Sequence, residues 1–177
     1  DFVWKIVTER HFEESDILSA IAKADQEMYE NGIVAVGDIC NNALTVKQKK
    51  RSGLWYHNFI EVSGFPPAVA AIRYEKAKEI LQSFNEVTTA NSIVPHAPYS
   101  VSPELFKLIN DLPGNHLLSM HNQECADENL FFKNKTGDFL RMFKQMNIDI
   151  SFFRPSGKSS LQTYLSNYTN AQQLILV

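Results

Sequence analysis

Four side chains able to bind a metal ion or move a proton stand where short apolar runs give way to polar sequence. They are Asp38 in AVGDI, Glu61 in FIEV, His96 in VPHAPY and His121 in LSMHNQE. A neutral imidazole in such a place suits a first-row metal ion. Glu124, three residues after His121, falls where a carboxylate can take a proton from a polarised water and deliver it to a leaving group. The purely structural account of the same pair is a hydrogen-bonded imidazole at a strand end and a glutamate favoured by the dipole of a first helical turn. His-x-x-Glu is short, so its meaning depends on the elements that hold it.

Those elements alternate. Ser15 to Asn31 places Ile17, Leu18, Ile21, Ala22 and Met28 on one helical face, with Ser15 as N-cap and Gly32 as the stop. Strand-length apolar runs follow at IVAVGDIC, LWYHNFIEV, SIVPHAPYSV, HLLSMH and QQLILV. Between them lie helical patterns: PPAVAAIRYEKAKEILQSF, PELFKLIND opened by Ser102 and Pro103, ECADENLFF, GDFLRMFKQM and SSLQTYLSNY. Pro95 and Pro98 require the third strand to leave regular ladder pairing at its end. Strands alternating with helices predict parallel βαβ units, and near-continuous apolar strands predict a sheet covered on both faces. The fold class expected is α/β, a partial (β/α)8 barrel of roughly strands 2 to 6, with residues 1–177 as a single domain.

In such a barrel the strand C-terminal ends share one face, where active sites are built. Asp38, Glu61, His96 and His121 would then be delivered to one edge. Two-residue alternation puts Val34 and Val36 on Asp38's side and Leu117 and Ser119 on that of His121. Ile93, Pro95, Leu118 and Met120 are expected to face the helices.

Composition narrows the function classes. The chain has 44% hydrophobic residues and 17 basic against 20 acidic residues, net −3. The one basic cluster, KQKKR at Lys47 to Arg51, reads as a solvated loop, and no nucleic-acid partner is expected. No segment has the ~20 apolar residues of a membrane span. Cys40 and Cys125 form no CxxC motif, which points to a reducing, cytoplasmic setting. The seven glycines never fall as GxGxxG, so a dinucleotide fingerprint is absent. Arg154, Ser156 and Lys158 in FRPSGKSS read as a solvated helix start, with an anion contact as the functional alternative. The opening DFVWKIV lacks a Met and QQLILV closes on an apolar run, so the chain reads as an internal fragment of a longer barrel.

SIVPHAPYSVSPELF followed by HLLSMHNQECADENLFF resembles the amidohydrolase superfamily, in its deaminase and chlorohydrolase-like branch. NGIVAVGDI is similar to that branch's second barrel strand, and the resemblance runs over most of Ile17 to Glu128. It implies that His121 is a metal ligand of the fifth barrel strand and that Glu124 is the catalytic acid–base group. His96 would contact substrate, with Tyr99 beside it in the pocket wall. Asp38 and Glu61 match no invariant family position and are read as pocket-lining, substrate-binding candidates. The implied reaction uses water activated by a divalent metal, zinc by default, to hydrolyse a C–N or C–Cl bond of a heterocyclic or related small molecule.

The family's His-x-His pair is missing, since His11, His57 and His116 lie far apart, and its sixth-strand histidine and eighth-strand aspartate are missing too. The 177 residues alone are therefore expected to be inactive and to hold metal weakly. The alternative is a non-catalytic half-barrel that binds a partner or forms a homo-oligomer through open strand edges.

Overall fold

The computed structural model describes residues 12–88, 90–169 and 171–177; His11 and the opening DFVWKIV lie outside them. Helix α1 (Glu14–Glu30) starts before the expected cap: Glu13 is the N-cap, with Glu14 and Asp16 in the first turn, where carboxylates favour the positive end of the helix dipole. Ser15 is thus an interior residue. Asn31 closes the helix by donating its side-chain N–H to the Glu27 carbonyl at 2.7 Å. Gly32, at φ +80°, turns the chain toward β1 (Ala35–Cys40), in a left-handed conformation that costs glycine little.

A short helix α2 (Val46–Lys49) leads to β2 (Trp55–Val62), then a 3-10 turn (Pro67–Val69) and α3 (Ala70–Asn85). Strand β3 (Asn91–Pro95) stops at its proline and passes through a 3-10 turn (Pro98–Ser100) into α4 (Pro103–Asn110). The Ser102 hydroxyl caps α4 by accepting the Leu105 N–H at 3.1 Å, as its sequence predicts. Strand β4 (Leu117–Met120), helices α5 (Ala126–Asn134), α6 (Asp138–Gln145) and α7 (Ser160–Tyr164), and β5 (Gln173–Leu176) complete the order. No described helix is long and apolar enough to cross a membrane.

All strand pairings are parallel, in a three-stranded sheet β1-β2-β3 and a two-stranded sheet β4-β5. The expectation of a parallel α/β chain therefore stands. Closure into a barrel does not follow: among the described residues the outer edges of β1 and β5 pair with no further strand. One face of the sheets carries Ile60 and Ile93 into a core with Phe84, Phe106, Phe131 and Phe132 from the helices. On the other face Phe59, Val94 and Leu118 form a second cluster. Leu118, expected to face the helices, instead lies in this second cluster, and no regular ladder joins β4 to β3.

The gap between β3 and β4 is bridged by one side chain. Asn115, buried at 4% exposure, accepts the Ile93 N–H at 3.1 Å and donates to the Ile93 carbonyl at 2.8 Å and the Ile109 carbonyl at 3.1 Å. An amide thus substitutes for a missing strand residue and satisfies both main-chain groups of a fully buried position.

The basic cluster is not wholly solvated. Lys49 is 7% exposed, and its Nζ donates to the Asn58 side chain at 2.6 Å, pairs with the Asp38 carboxylate and lies over the Tyr56 and Phe84 rings. Asp25 ties the same loop to α1, accepting from Ser52 and Tyr56 at 2.6 Å each and from Gln48 at 3.0 Å. Burial pushes the Asp25 carboxyl upward, but those hydrogen bonds and the Lys49 charge outweigh it and hold the group below its ordinary value.

Replacing Asn115 by Ala leaves the Ile93 N–H and C=O buried without partners, which should cost on the order of 3 kcal/mol in urea unfolding. A loss below about 1 kcal/mol would remove Asn115 from its bridging role.

Candidate active site

The end of each strand in the middle of the molecule is fixed by main-chain bonds before any side chain is considered. The His96 N–H donates to the Val62 carbonyl at 3.1 Å, and the His121 N–H donates to the His96 carbonyl at 2.9 Å. Beyond them the Asn122 N–H reaches the Val177 carbonyl at 2.9 Å. The last residue of β2 and the residues just past β3, β4 and β5 are thereby laced together along the C-terminal edge.

That lacing collects three donors. Glu61, His96 and His121 each offer a ligand atom, and these atoms all lie within 4.8 Å of one another. His121 Nε2 stands 3.4 Å from Glu61 Oε1, with both side chains less than a third exposed. The His96 and His121 rings meet edge to face at 5.5 Å. His96 Nδ1 lies 2.7 Å from Ser100 Oγ, and that hydroxyl donates to the Ala97 carbonyl at 3.1 Å. The Ser100 contact fixes the orientation of the His96 ring through Nδ1. Two imidazoles and one carboxylate form a donor set for a first-row divalent ion.

Glu124 stands on the exposed loop after β4, and its carboxylate accepts a hydrogen bond from the Tyr99 hydroxyl. The Tyr99 ring in turn packs at a tilt against Phe139, with centroids 4.4 Å apart. Phe139 is aimed by the start of α6, where Asp127 Oδ1 accepts the Asp138 N–H at 3.0 Å. Burial, then the bond to Glu124 and its charge, push the Tyr99 phenol well above its ordinary value of 10.0. Tyr99 therefore remains a donor to Glu124 at neutral pH.

The architecture matches solved structures. Helicobacter pylori aminofutalosine deaminase is similar over 90% of this chain, with a TM-score of 0.75 and 21% identity. Its complex with methylthio-coformycin is similar over 89% of this chain, with a TM-score of 0.76 and the same identity. The fold is deaminase-like. The chain spans 40% of the length of the first of these structures and 39% of the second. No protein-family model and no curated protein matches the sequence.

Of the six residues singled out from sequence, the structure brings together Glu61, His96 and His121, and joins Tyr99 to Glu124, with the Tyr99 ring edge to face with His96 at 5.9 Å. Asp38 stands apart from both groups. It lies inside β1, two residues before the strand end, and its register partner is Asn58. That register puts it on the helix-facing side, where Lys49 neutralises it, whereas Glu61 is on the opposite side. Sequence reading missed Lys49, which looked like one more residue of a charged run, and Asn115, whose role depends on a gap between strands. It also passed over Glu128, although a glutamate at the third position of a helix is a known capping signal.

The buried phenols generate an alkaline test. Tyr56, Tyr99, Tyr164 and Tyr168 are all pushed above 10.0, in each case first by burial. Above pH 10 the folded chain holds protons the unfolded chain has released, so stability is intact below that pH and falls as pH rises. Denaturation midpoints should decline above about pH 10, and Tyr99→Phe should make that decline shallower. An unchanged slope in the variant would show that Tyr99 is not shielded.

Proposed function

We propose that this chain is part of a metal-dependent hydrolase of deaminase type, acting on a C–N bond of a heterocyclic or related small molecule. One observation carries the reading: the Glu61, His96 and His121 donors and the Tyr99–Glu124 pair stand beside one another at the strand C-terminal edge of a deaminase-like fold. The neighbouring deaminase structure in complex with methylthio-coformycin supports a small-molecule substrate. The whole enzyme would draw on chain beyond these 177 residues for further ligands. The same chemistry extends to a C–Cl bond, where chloride leaves in place of the amine.

In this reading His121 holds the metal, and Glu61 and His96 bind substrate beside it. A zinc ion, when bound, brings the pKa of a coordinated water near neutrality. The remaining work belongs to side chains. Glu124 takes the proton of the attacking water and passes it to the leaving group, a general acid–base role that typically contributes about 10²–10⁴-fold. Tyr99 keeps the Glu124 carboxylate in place, and Ser100 holds the His96 ring beside the substrate. Asp38 has no part in this chemistry, since Lys49 engages it on the other face.

In the full-length protein, Glu124→Gln should lower kcat for deamination by about 10²-fold or more, with metal content by elemental analysis unchanged. Retained turnover would remove Glu124 from the mechanism. His121→Ala should lose the metal, whereas Glu61→Gln and His96→Ala should keep it and raise KM. Loss of metal in all three variants would instead make Glu61 and His96 ligands.

A further inference from the structure

The loop between His121 and α5 has a second anchor, which the reaction scheme does not use. Glu128 is completely buried. Its two carboxylate oxygens are divided between adjacent main-chain donors: Oε1 accepts the Gln123 N–H at 3.1 Å and Oε2 accepts the Glu124 N–H at 3.1 Å. Cys125 is the N-cap of α5, so Glu128 occupies the third helical position. In an ordinary capping box a glutamate there reaches back to the N–H of the cap residue. Here it reaches past the cap, to the two residues before it.

Gln123 shows what the reach accomplishes. Its φ is +58°, a left-handed conformation that costs a side-chain-bearing residue about 1–2 kcal/mol. Such a conformation persists where surrounding bonds over-determine it. Both Gln123 and Glu124 are exposed, so packing does not hold them. Glu128 does, and the left-handed step at Gln123 turns the chain so that Glu124 meets the Tyr99 hydroxyl. Glu124 is thus restrained at both ends, through its carboxylate by Tyr99 and through its backbone by Glu128.

We propose that Glu128 is a positioning residue, one that sets the location of the Glu124 carboxylate relative to His121 without touching substrate. The catalytic consequence rests on the hydrolase reading above; the clamp itself does not. Misplacement of a reacting group by ~1 Å can cost about 10²-fold in rate, which sets the scale of the expected loss.

The test uses the full-length protein and two readouts. In the parent, amide hydrogen exchange at Gln123 and Glu124 should be slow despite their exposed setting, and fast exchange at both would overturn the clamp without any variant being made. In Glu128→Gln, which keeps the side-chain volume and one acceptor, exchange at these two amides should rise while amides of β3 and β4 stay protected. The same variant should lose about 10- to 100-fold in kcat, with KM and metal content near those of the parent. Added Tyr99→Phe should deepen the loss, because the second restraint on Glu124 goes with it. A Glu128→Gln enzyme with parental kcat overturns the positioning role even if exchange quickens. Should the parent protein show no deaminase or other hydrolase turnover, the functional reading fails and the exchange result alone decides the clamp.

Discussion

The hydrogen bond from the His121 N–H to the His96 carbonyl, at 2.9 Å, is the point on which the site depends. It joins the three-stranded and two-stranded sheets at their C-terminal edge, where no regular ladder connects β3 to β4. Without it the two imidazoles would belong to separate sheets with no fixed separation. Asn115 performs the corresponding task at the other end of the gap, pairing with both main-chain groups of Ile93. The two connections together hold β4 beside β3 and leave room for side chains to converge above them.

A parallel sheet delivers every strand end to one edge, but it also divides residues between two faces, and this division sorts the charged groups. Glu61 is on the face shared with Phe59, whereas Asp38 is on the face shared with Asn58 and Ile60. On that second face a cation is supplied from the chain itself, by Lys49, and enclosed by the Tyr56 and Phe84 rings. A carboxylate so neutralised is held as structure. Glu61, paired among the described residues with a neighbouring imidazole alone, keeps an oxygen for a metal ion or a substrate hydroxyl. The difference between the two acids is a matter of register, not of residue type.

Local sequence also builds part of the site. The proline-bounded turn at Pro98–Ser100 sends Tyr99 toward the loop after β4 and brings the Ser100 hydroxyl back to His96. The start of α6 packs Phe139 against Tyr99, so an aromatic contact supports the hydroxyl that holds Glu124. The turn at Gln123 exists because a buried carboxylate compensates it. Each of these devices spends local conformational freedom to place one polar atom.

Much of this was legible in the sequence. Apolar periodicity located the strands and most of the helices, because alternation between a two-residue and a 3.6-residue repeat follows directly from which faces must be buried. The prolines marked where β3 ends, and Ser102 marked a helix start. The residues at strand ends named His96, His121 and Glu61, since a parallel arrangement puts strand ends together whatever the exact packing. What sequence could not supply was the pairing of groups distant along the chain. Whether Asp38 faced solvent or Lys49 depended on where α2 folded back, and which cluster Leu118 joined depended on packing across strands. Composition and periodicity determined which elements form and which residues lie near their ends; tertiary structure alone decided which polar atoms meet, because a hydrogen bond or metal ligand set is defined over a few ångströms and hydrophobic patterning specifies position only to the width of a strand.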